Sequence, residues 1–502
     1  MLRLTSTSSV LFALTAVCGL QAAEKESSLD QALALEEAMQ LAIKSAEPSL
    51  ACILVTRDKK EYGAPSDEPG VLGDFQPKSS GERKLDLADP EYVPESYGSG
   101  VVINAREHLI LTNYHVVRAA VKIYVRLAQT GKGSETVEKG SYANIFAADP
   151  RSDLAVLKLL EHNLSLKEIR TGDGNNLKKG QFVVALAYPF AVGFRDGSPS
   201  ASWGIISNIR RPVVAGLKEV ERSKFTLAQF GRLIQVDARL NLGCSGGALI
   251  NLKGEMIGIT NSLAALTGVE TPGGFALPFD DNIRAIVDVL KRGEEVEYGF
   301  LGVSMAPGAK RGEAYQIEHV IPNSPASAAG LEEGLYIISI NGVRIHDSNE
   351  LFFNIAILTA GSDAKIEVAS TPDGPTEVRT ARLAKSYVGG PAIASKRPDA
   401  RKYAGLRVDY TSVLIQMLRE RNVPYNGQIP RGVVIRDVVS QSPAAQALLQ
   451  PDKIVTRVNG DDVNLPKEFY AAMDKARKNG KQVTLDVMSL GGQPDRIKLE
   501  LP

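Results

Sequence analysis

The sequence predicts a mainly β protein in three parts: an all-β barrel or sandwich region followed by two copies of a smaller module. Three observations carry this. The 502 residues suffice for about three domains of roughly 150 residues each. From Gly98 to about Asp280, short apolar strands alternate with turns, which is the pattern of a barrel or sandwich. Beyond Gly293 the chain contains a diverged internal repeat, and repeats at this scale mark duplicated structural units.

Composition narrows the function classes. Hydrophobic residues make up 44% and charged residues 23%, ordinary for a globular protein. Lys+Arg and Asp+Glu both total 58, so there is no overall electrostatic footprint for nucleic acid, and no such partner is expected.

At the N-terminus, Arg3 precedes an apolar run from Val10 to Leu20, and Ala22 and Ala23 come before Glu24-Lys25-Glu26. This is the layout of a secretory signal over residues 1–23, with a run too short to span a bilayer comfortably. The competing reading is an uncleaved membrane anchor. Of the three cysteines, Cys18 would leave with the signal, and Cys52 and Cys244 are expected to be free.

Residues 24–46 read as a helical segment: Ser28 and Gln31 form a capping-box pattern, and Leu35, Met39, Ala42 and Ile43 recur at helical spacing. Residues 47–292 read as the β domain, opening on the strand Leu50–Val55. Within it, residues 57–97 are rich in Lys, Asp, Glu, Pro and Gly and read as a surface loop inserted between the first two strands. Asp281 to Lys291 form a closing helical pattern. The repeat copies occupy 293–387 and 402–502, with a linker over 388–401. The first has Asn323-Ser-Pro-Ala followed by Ile338-Ser-Ile-Asn-Gly342, and the second has Gln441-Ser-Pro-Ala followed by Thr456-Arg-Val-Asn-Gly460. In both, the serine and the later asparagine stand 17 positions apart.

The strongest chemical signal is Gly243-Cys244-Ser245-Gly246-Gly247. A serine hydroxyl needs a base to accept its proton, and its tetrahedral oxyanion needs oriented donors. Flanking glycines permit the tight turn that aims successive amides into one hole, here those of Gly243 and Ser245. The same residues satisfy Gly-x-Ser-x-Gly, the elbow of α/β-hydrolases. That elbow enters a helix, whereas Ala248 to Ile259 reads as strand, turn and strand. It also needs a downstream histidine, and only His319 and His346, inside the repeats, are available.

Five histidines are present. His115 follows the apolar strand Leu109-Ile-Leu in Thr112-Asn-Tyr-His-Val-Val117, where a base is held in one orientation. His108, beside Arg106-Glu107, is expected to be exposed, as is His162. The partner carboxylate that holds the imidazole tautomer is expected at Asp153, where a turn enters the strand Leu154-Ala-Val-Leu157. Asp149 competes, but its Asp-Pro context reads as an exposed turn. No cofactor and no metal is expected.

The order His115, Asp153, Ser245 is that of chymotrypsin-like proteases. More narrowly, Thr112-Asn-Tyr-His-Val-Val117, Asp149-Pro-Arg-Ser-Asp-Leu-Ala155, Gln235-Val-Asp-Ala238 with the Ser245 pentapeptide, and Gly274-Phe-Ala-Leu-Pro278 resemble the corresponding segments of HtrA/Deg serine proteases. The resemblance spans the β domain and both repeats. It implies a chymotrypsin-like double β-barrel followed by two PDZ-like domains. It also implies an exported, periplasmic endopeptidase acting on unfolded or damaged proteins, assembled as a homotrimer or larger homo-oligomer. The alternative is a protease-fold chaperone or peptide-binding scaffold with little activity. Cys244 stands where the family commonly has Asn, and a trypsin-like activation salt bridge would need a carboxylate there. Loop ordering is then the implied control, with Asp196-Gly197 in the matching regulatory region. The resemblance also implies that Ile259 to Leu263, with Ala201 to Gly204, line the substrate pocket, and no carboxylate stands in either segment to select Lys or Arg.

The repeats resemble PDZ domains, which take a peptide C-terminus by strand addition and capture its carboxylate on backbone amides. The implied capture loops are Tyr298-Gly299-Phe300-Leu301-Gly302-Val303 and Tyr403-Ala404-Gly405-Leu406-Arg407-Val408. Gly299, Phe300, Leu301 and Gly302 would serve the first, and Gly405 and Leu406 the second.

Overall fold

A computed structural model describes residues 28–57, 87–88, 94, 96–127, 140–194, 198–211, 233–261, 273–305, 315–345, 348–388, 393–421, 423, 428–480, 482–492 and 494–501. The apolar N-terminal run, most of the 57–97 insertion and Asp196-Gly197 lie outside the described residues. Among the described residues no helix is long and apolar enough to cross a membrane. The chain forms two compact units, the second of which takes in Phe146–Asp153 and everything from Ala285 onward.

The first unit opens with a helix over 28–46 and contains two barrels. The first barrel uses β1 (Leu50–Arg57), β2 (Ser96–Asn104), β3 (Leu109–Asn113), β4 (Ala120–Leu127), β5 (Gly140–Asp149) and β6 (Leu154–Leu159), in the order β5-β4-β1-β2-β3-β6 and closed by β5–β6 pairing. β1 is buried from Leu50 to Val55, as its unbroken apolar run requires. Each fully buried Leu or Ile contributes about 1.5–3 kcal/mol. The second barrel closes through β10 (Ala248–Ile250), β11 (Met256–Asn261), β12 (Gly274–Pro278), β9 (Leu233–Val236), β8 (Ser200–Arg211) and β7 (Phe182–Ala187), around Val183, Ile206, Val236, Leu249 and Ile257. The second barrel is fully closed and leaves no open strand edge. Cys52 and Cys244 are free and buried.

In the second unit, β13 (Gly299–Phe300) pairs with β20 (Ala384–Lys385). A sheet runs β14 (Val303–Met305), β15 (Tyr315–Val320), β16 (Tyr336–Ile340), β18 (Asp363–Ala369), β19 (Glu377–Arg382), with β17 (Val343–Arg344) beside β16. In β18 Ala364, Ile366 and Val368 are buried and the residues between them more exposed, the alternation of a half-buried strand. After β21 (Ile393–Ala394), the second repeat builds the same order from β22 (Leu406–Tyr410), β23 (Val433–Val438), β24 (Ile454–Val458), β26 (Gln482–Met488) and β27 (Asp495–Glu500), with β25 (Asp461–Asp462) beside β24. The Ser-Pro-Ala motifs start short helices: the hydroxyls of Ser324 and Ser442 cap them by accepting the N–H groups of Ser327 and Ala445. The conserved spacing of the repeat is thus a cap followed by a strand and a turn.

Candidate active site

His115 sits in a one-turn helix, Tyr114–Val117, that follows β3 directly. Ser245 lies in the turn between β9 and β10 and is buried. After it come β10, a turn and β11 rather than a helix. This excludes the α/β-hydrolase elbow, whose nucleophile must enter a helix.

Two glycines let these segments approach. A Cβ on Gly98 would stand 2.6 Å from a methyl of Val116 and 3.3 Å from the Ser245 carbonyl. The residue after His115 and the backbone of Ser245 therefore meet over the same missing side chain. On the other side, a Cβ on Gly246 would run into the Ser99 carbonyl, with the Thr112 hydroxyl at 2.5 Å and the Asn113 N–H nitrogen at 3.2 Å. Thr112 and Asn113 lead directly into the His115 turn.

Asp153 is buried, has a left-handed φ of 58° and immediately precedes β6. Leu154 lies opposite Asn113 in the β3–β6 register. One peptide bond thus separates Asp153 from a residue paired with the strand end that carries His115.

The pentapeptide is shaped by its own hydrogen bonds. Gly243 has φ of 92°, a conformation glycine adopts without steric cost. The Cys244 N–H donates to the Asn241 carbonyl at 3.1 Å, and the Gly247 N–H to the Cys244 carbonyl at 3.1 Å. Strand β11 holds the loop from behind: the Gly246 N–H donates to the Thr260 carbonyl at 2.9 Å, and the Thr260 hydroxyl to the Cys244 carbonyl at 2.5 Å. Burial pushes the Cys244 thiol up to about 11, so it stays protonated at neutral pH and is a poor rival nucleophile.

Ser99 is a contributor that sequence reasoning missed. Its N–H donates to the Ser245 carbonyl at 2.8 Å and its hydroxyl to the Gly243 carbonyl at 2.7 Å. The only local sign is a serine between two glycines in a strand, Gly98-Ser99-Gly100.

Asp149 corrects an expectation. It is buried rather than exposed, at 4%. Its carboxylate accepts the Ser152 N–H at 2.8 Å and the Tyr298 hydroxyl, within the second unit. Burial nevertheless raises its pKa above the usual carboxylate value. His108 is half-buried, with its ring edge-on to His162 at 5.9 Å, while His162 is exposed as expected. Trp203, in the segment expected to line the pocket, is 60% exposed.

The two capture loops superimpose through their hydrogen bonds. The Leu301 and Ala404 carbonyls accept from Ala326 and Ala444, and the Gly302 and Gly405 carbonyls from Ile321 and Val439, all at 2.9 Å. Leu301 thus matches Ala404, and Phe300 in β13 matches Tyr403. The two loops as read from sequence start two residues out of step, and Leu406 and Arg407 belong to strand β22. The Gly405 N–H donates to the Ala400 carbonyl at 2.8 Å. Strands β14 and β22 each lie at the edge of their sheet among the described residues. No group of three metal-ligating side chains occurs among the described residues.

Residues 98–259 match the trypsin-like peptidase domain, and residues 290–369 and 411–501 each match the PDZ domain. The chain is 31% identical over 392 residues to the periplasmic pH-dependent serine endoprotease DegQ of Escherichia coli, covering 76% of each protein. It is 27% identical over 468 residues to a probable periplasmic serine endoprotease DegP-like of Ectopseudomonas mendocina, covering 89% of this chain and 91% of that protein. With the periplasmic serine endoprotease DegP of Salmonella typhimurium it shares 28% over 388 residues, 75% of this chain and 71% of that protein. Two closed barrels, two PDZ domains and this extent of likeness make the chain a member of the HtrA/Deg family, a trypsin-like serine endopeptidase with two PDZ domains.

Proposed function

We propose that Ser245 is the nucleophile, His115 the general base and Asp153 the residue that orients the imidazole, in an endopeptidase that cuts unfolded or damaged proteins. The Ser245 hydroxyl passes its proton to His115 as its oxygen attacks the scissile carbonyl. The oxyanion that forms is held by the amides of Gly243 and Ser245. His115 then returns the proton to the leaving amine, and an acyl-enzyme remains on Ser245. Water, deprotonated by His115, attacks the acyl carbonyl, the bond to the Ser245 oxygen breaks as His115 returns the proton to it, and the new carboxylate leaves. Asp153 keeps one imidazole tautomer and stabilises the imidazolium.

The observation that carries this reading is the convergence of Val116 and the Ser245 carbonyl over Gly98. It supports a base and a nucleophile drawn from opposite barrels.

Substrates reach the site as unfolded segments, and the PDZ domains hold peptide ends through strand addition at β14 and, where accessible, β22. The carboxylate would be taken by the loop Gly299, Phe300, Leu301 and Gly302 and, where its amides are accessible, by the matching second loop that ends at Gly405. An exported, periplasmic setting and assembly into a homotrimer or larger homo-oligomer complete the proposal, on the strength of the family and of relatives named as periplasmic endoproteases. Residues 1–23 would serve as the signal.

The test is degradation of casein by the wild type, Ser245→Ala and His115→Ala, with labelling by a fluorophosphonate. Turnover and labelling in the wild type, both lost in Ser245→Ala, support the assignment. Casein cleavage that survives in Ser245→Ala removes it. Protection of a client from aggregation without any cleavage by the wild type would instead indicate a scaffold.

A further inference from the structure

His115 sits in a single helical turn, and the last carbonyls of a helix take partners from outside it. Arg57 is one such partner. Its Nη2 donates to the carbonyls of His115 and Val116 at 2.9 Å each, and its Nε to the carbonyl of Arg118 at 3.1 Å. Nη1 donates to the Ser96 hydroxyl on the neighbouring strand. One guanidinium thus engages three carbonyls of the segment that bears the base, including that of the base itself.

Arg57 ends β1 where its pairing with β4 is irregular: Thr56 lies opposite Lys122 and Arg57 opposite Ala120, so the extra residue of the bulge, Val121, belongs to β4. The charge also suits the place, since a cation is favourable at the carbonyl end of a helix. A lysine has no planar fork and cannot reproduce contacts from three separate nitrogens.

The turn is fixed from its side chains as well. Val116 is buried, with its methyls packed over Gly98. Val116 therefore locks the turn against β2, and Arg57 locks its backbone to the end of β1.

We propose that Arg57 is a positioning residue for His115, setting the backbone from which the imidazole reaches Ser245. This rests on His115 being the general base. A displacement of about 1 Å at such a group can cost roughly a hundred-fold in rate, so the effect should appear in kcat rather than in substrate binding.

The test uses the full chain carrying Arg57→Met or Arg57→Lys, assayed on a peptide amide, with fluorophosphonate labelling of Ser245 and thermal melts. Arg57→Met should lower kcat by roughly ten- to a hundred-fold with KM within about two-fold, and slow labelling in proportion. Methylguanidinium at millimolar concentration should restore part of both, and Arg57→Lys should fall between. A folded Arg57→Met with kcat and labelling within about two-fold of wild type overturns the proposal, as does a lowered Tm with unchanged kcat. Should the Met variant not fold, wild-type labelling by a folded Arg57→Lys overturns it equally. His115→Ala separates the two layers: if it abolishes turnover while the Arg57 variants keep theirs, only the role of Arg57 fails. If His115→Ala stays active, the base assignment fails instead.

Discussion

Ser99 holds the Ser245 loop at two points, donating its N–H to the Ser245 carbonyl at 2.8 Å and its hydroxyl to the Gly243 carbonyl at 2.7 Å. The same hydroxyl accepts the Tyr188 N–H at 2.8 Å. Ser99 has no solvent exposure, so water cannot replace a lost partner. Ser99→Ala should cost about 1–3 kcal/mol, because it strands a buried carbonyl and a buried N–H. Since Gly243 is a proposed oxyanion donor, the same change should lower kcat more than it raises KM. Urea denaturation and steady-state kinetics check both. Full kcat in a destabilised variant would show that the loop keeps its shape without Ser99.

The two cysteines give a pH prediction. Burial pushes the Cys52 thiol up to about 12 and the Cys244 thiol up to about 11, from an ordinary value of 9.0. Both therefore remain neutral at pH 8 and should resist iodoacetamide until the protein unfolds. Folding favours the neutral thiols, so this contribution is complete below pH 9 and is lost as pH rises through 11 to 12. Melts should show stability falling on that alkaline side, with a smaller fall in Cys52→Ala. Rapid alkylation of Cys244 in the native state at pH 8 would contradict the account.

What the sequence revealed was local. The strand run of β1, the turn at Gly243 and the repeated Ser-Pro-Ala motif each depend on neighbours a few residues away, and each was legible. What stayed hidden depends on distant partners. Ser99 meets Gly243 across 144 positions and Asp149 meets Tyr298 across 149, and no periodicity reports such pairs. The Asp149-Pro150 context does mark a turn, but a turn's exposure depends on what packs over it. Arg57 shows the same limit: a cation ending an apolar strand looks like a surface residue until its distant partners, the carbonyls of His115, Val116 and Arg118, are known.

Asp149 yields a test of that buried pair. Burial raises its pKa above 3.8, so ionisation works against folding as pH rises from the ordinary carboxylate value through the raised one. Asp149→Asn removes the charge yet keeps a carbonyl oxygen to accept the Ser152 N–H. The variant's stability relative to wild type should therefore improve as pH rises from the ordinary carboxylate value through the raised one. Tyr298→Phe should act in the opposite sense, costing about 1–3 kcal/mol at neutral pH because the carboxylate loses a donor. Denaturation of both variants across that range decides it, and an Asn variant that loses ground as pH rises would reverse the assignment.

The two PDZ domains should differ in their use of the strand edge. In the second, the Val408 N–H on edge strand β22 already donates to the Tyr470 hydroxyl at 3.1 Å. Tyr470 comes from the helix Pro466–Lys478 and is held by its ring contact with Tyr403 at 4.7 Å. An added peptide strand needs the edge N–H groups, so it would have to displace that hydroxyl. The capture loop is tied down as well, through the Gly405 N–H and the Ala400 carbonyl. A peptide with an apolar C-terminus, added to full-length Ser245→Ala protein, should therefore slow hydrogen exchange at Val303–Met305 and leave Leu406–Tyr410 unchanged. Adding Tyr470→Ala should extend protection to Leu406–Tyr410, and Tyr470→Phe should do so in part, because the ring stays while the hydroxyl goes. Equal protection of both strands without any change at Tyr470 would show that this hydroxyl does not guard the second groove.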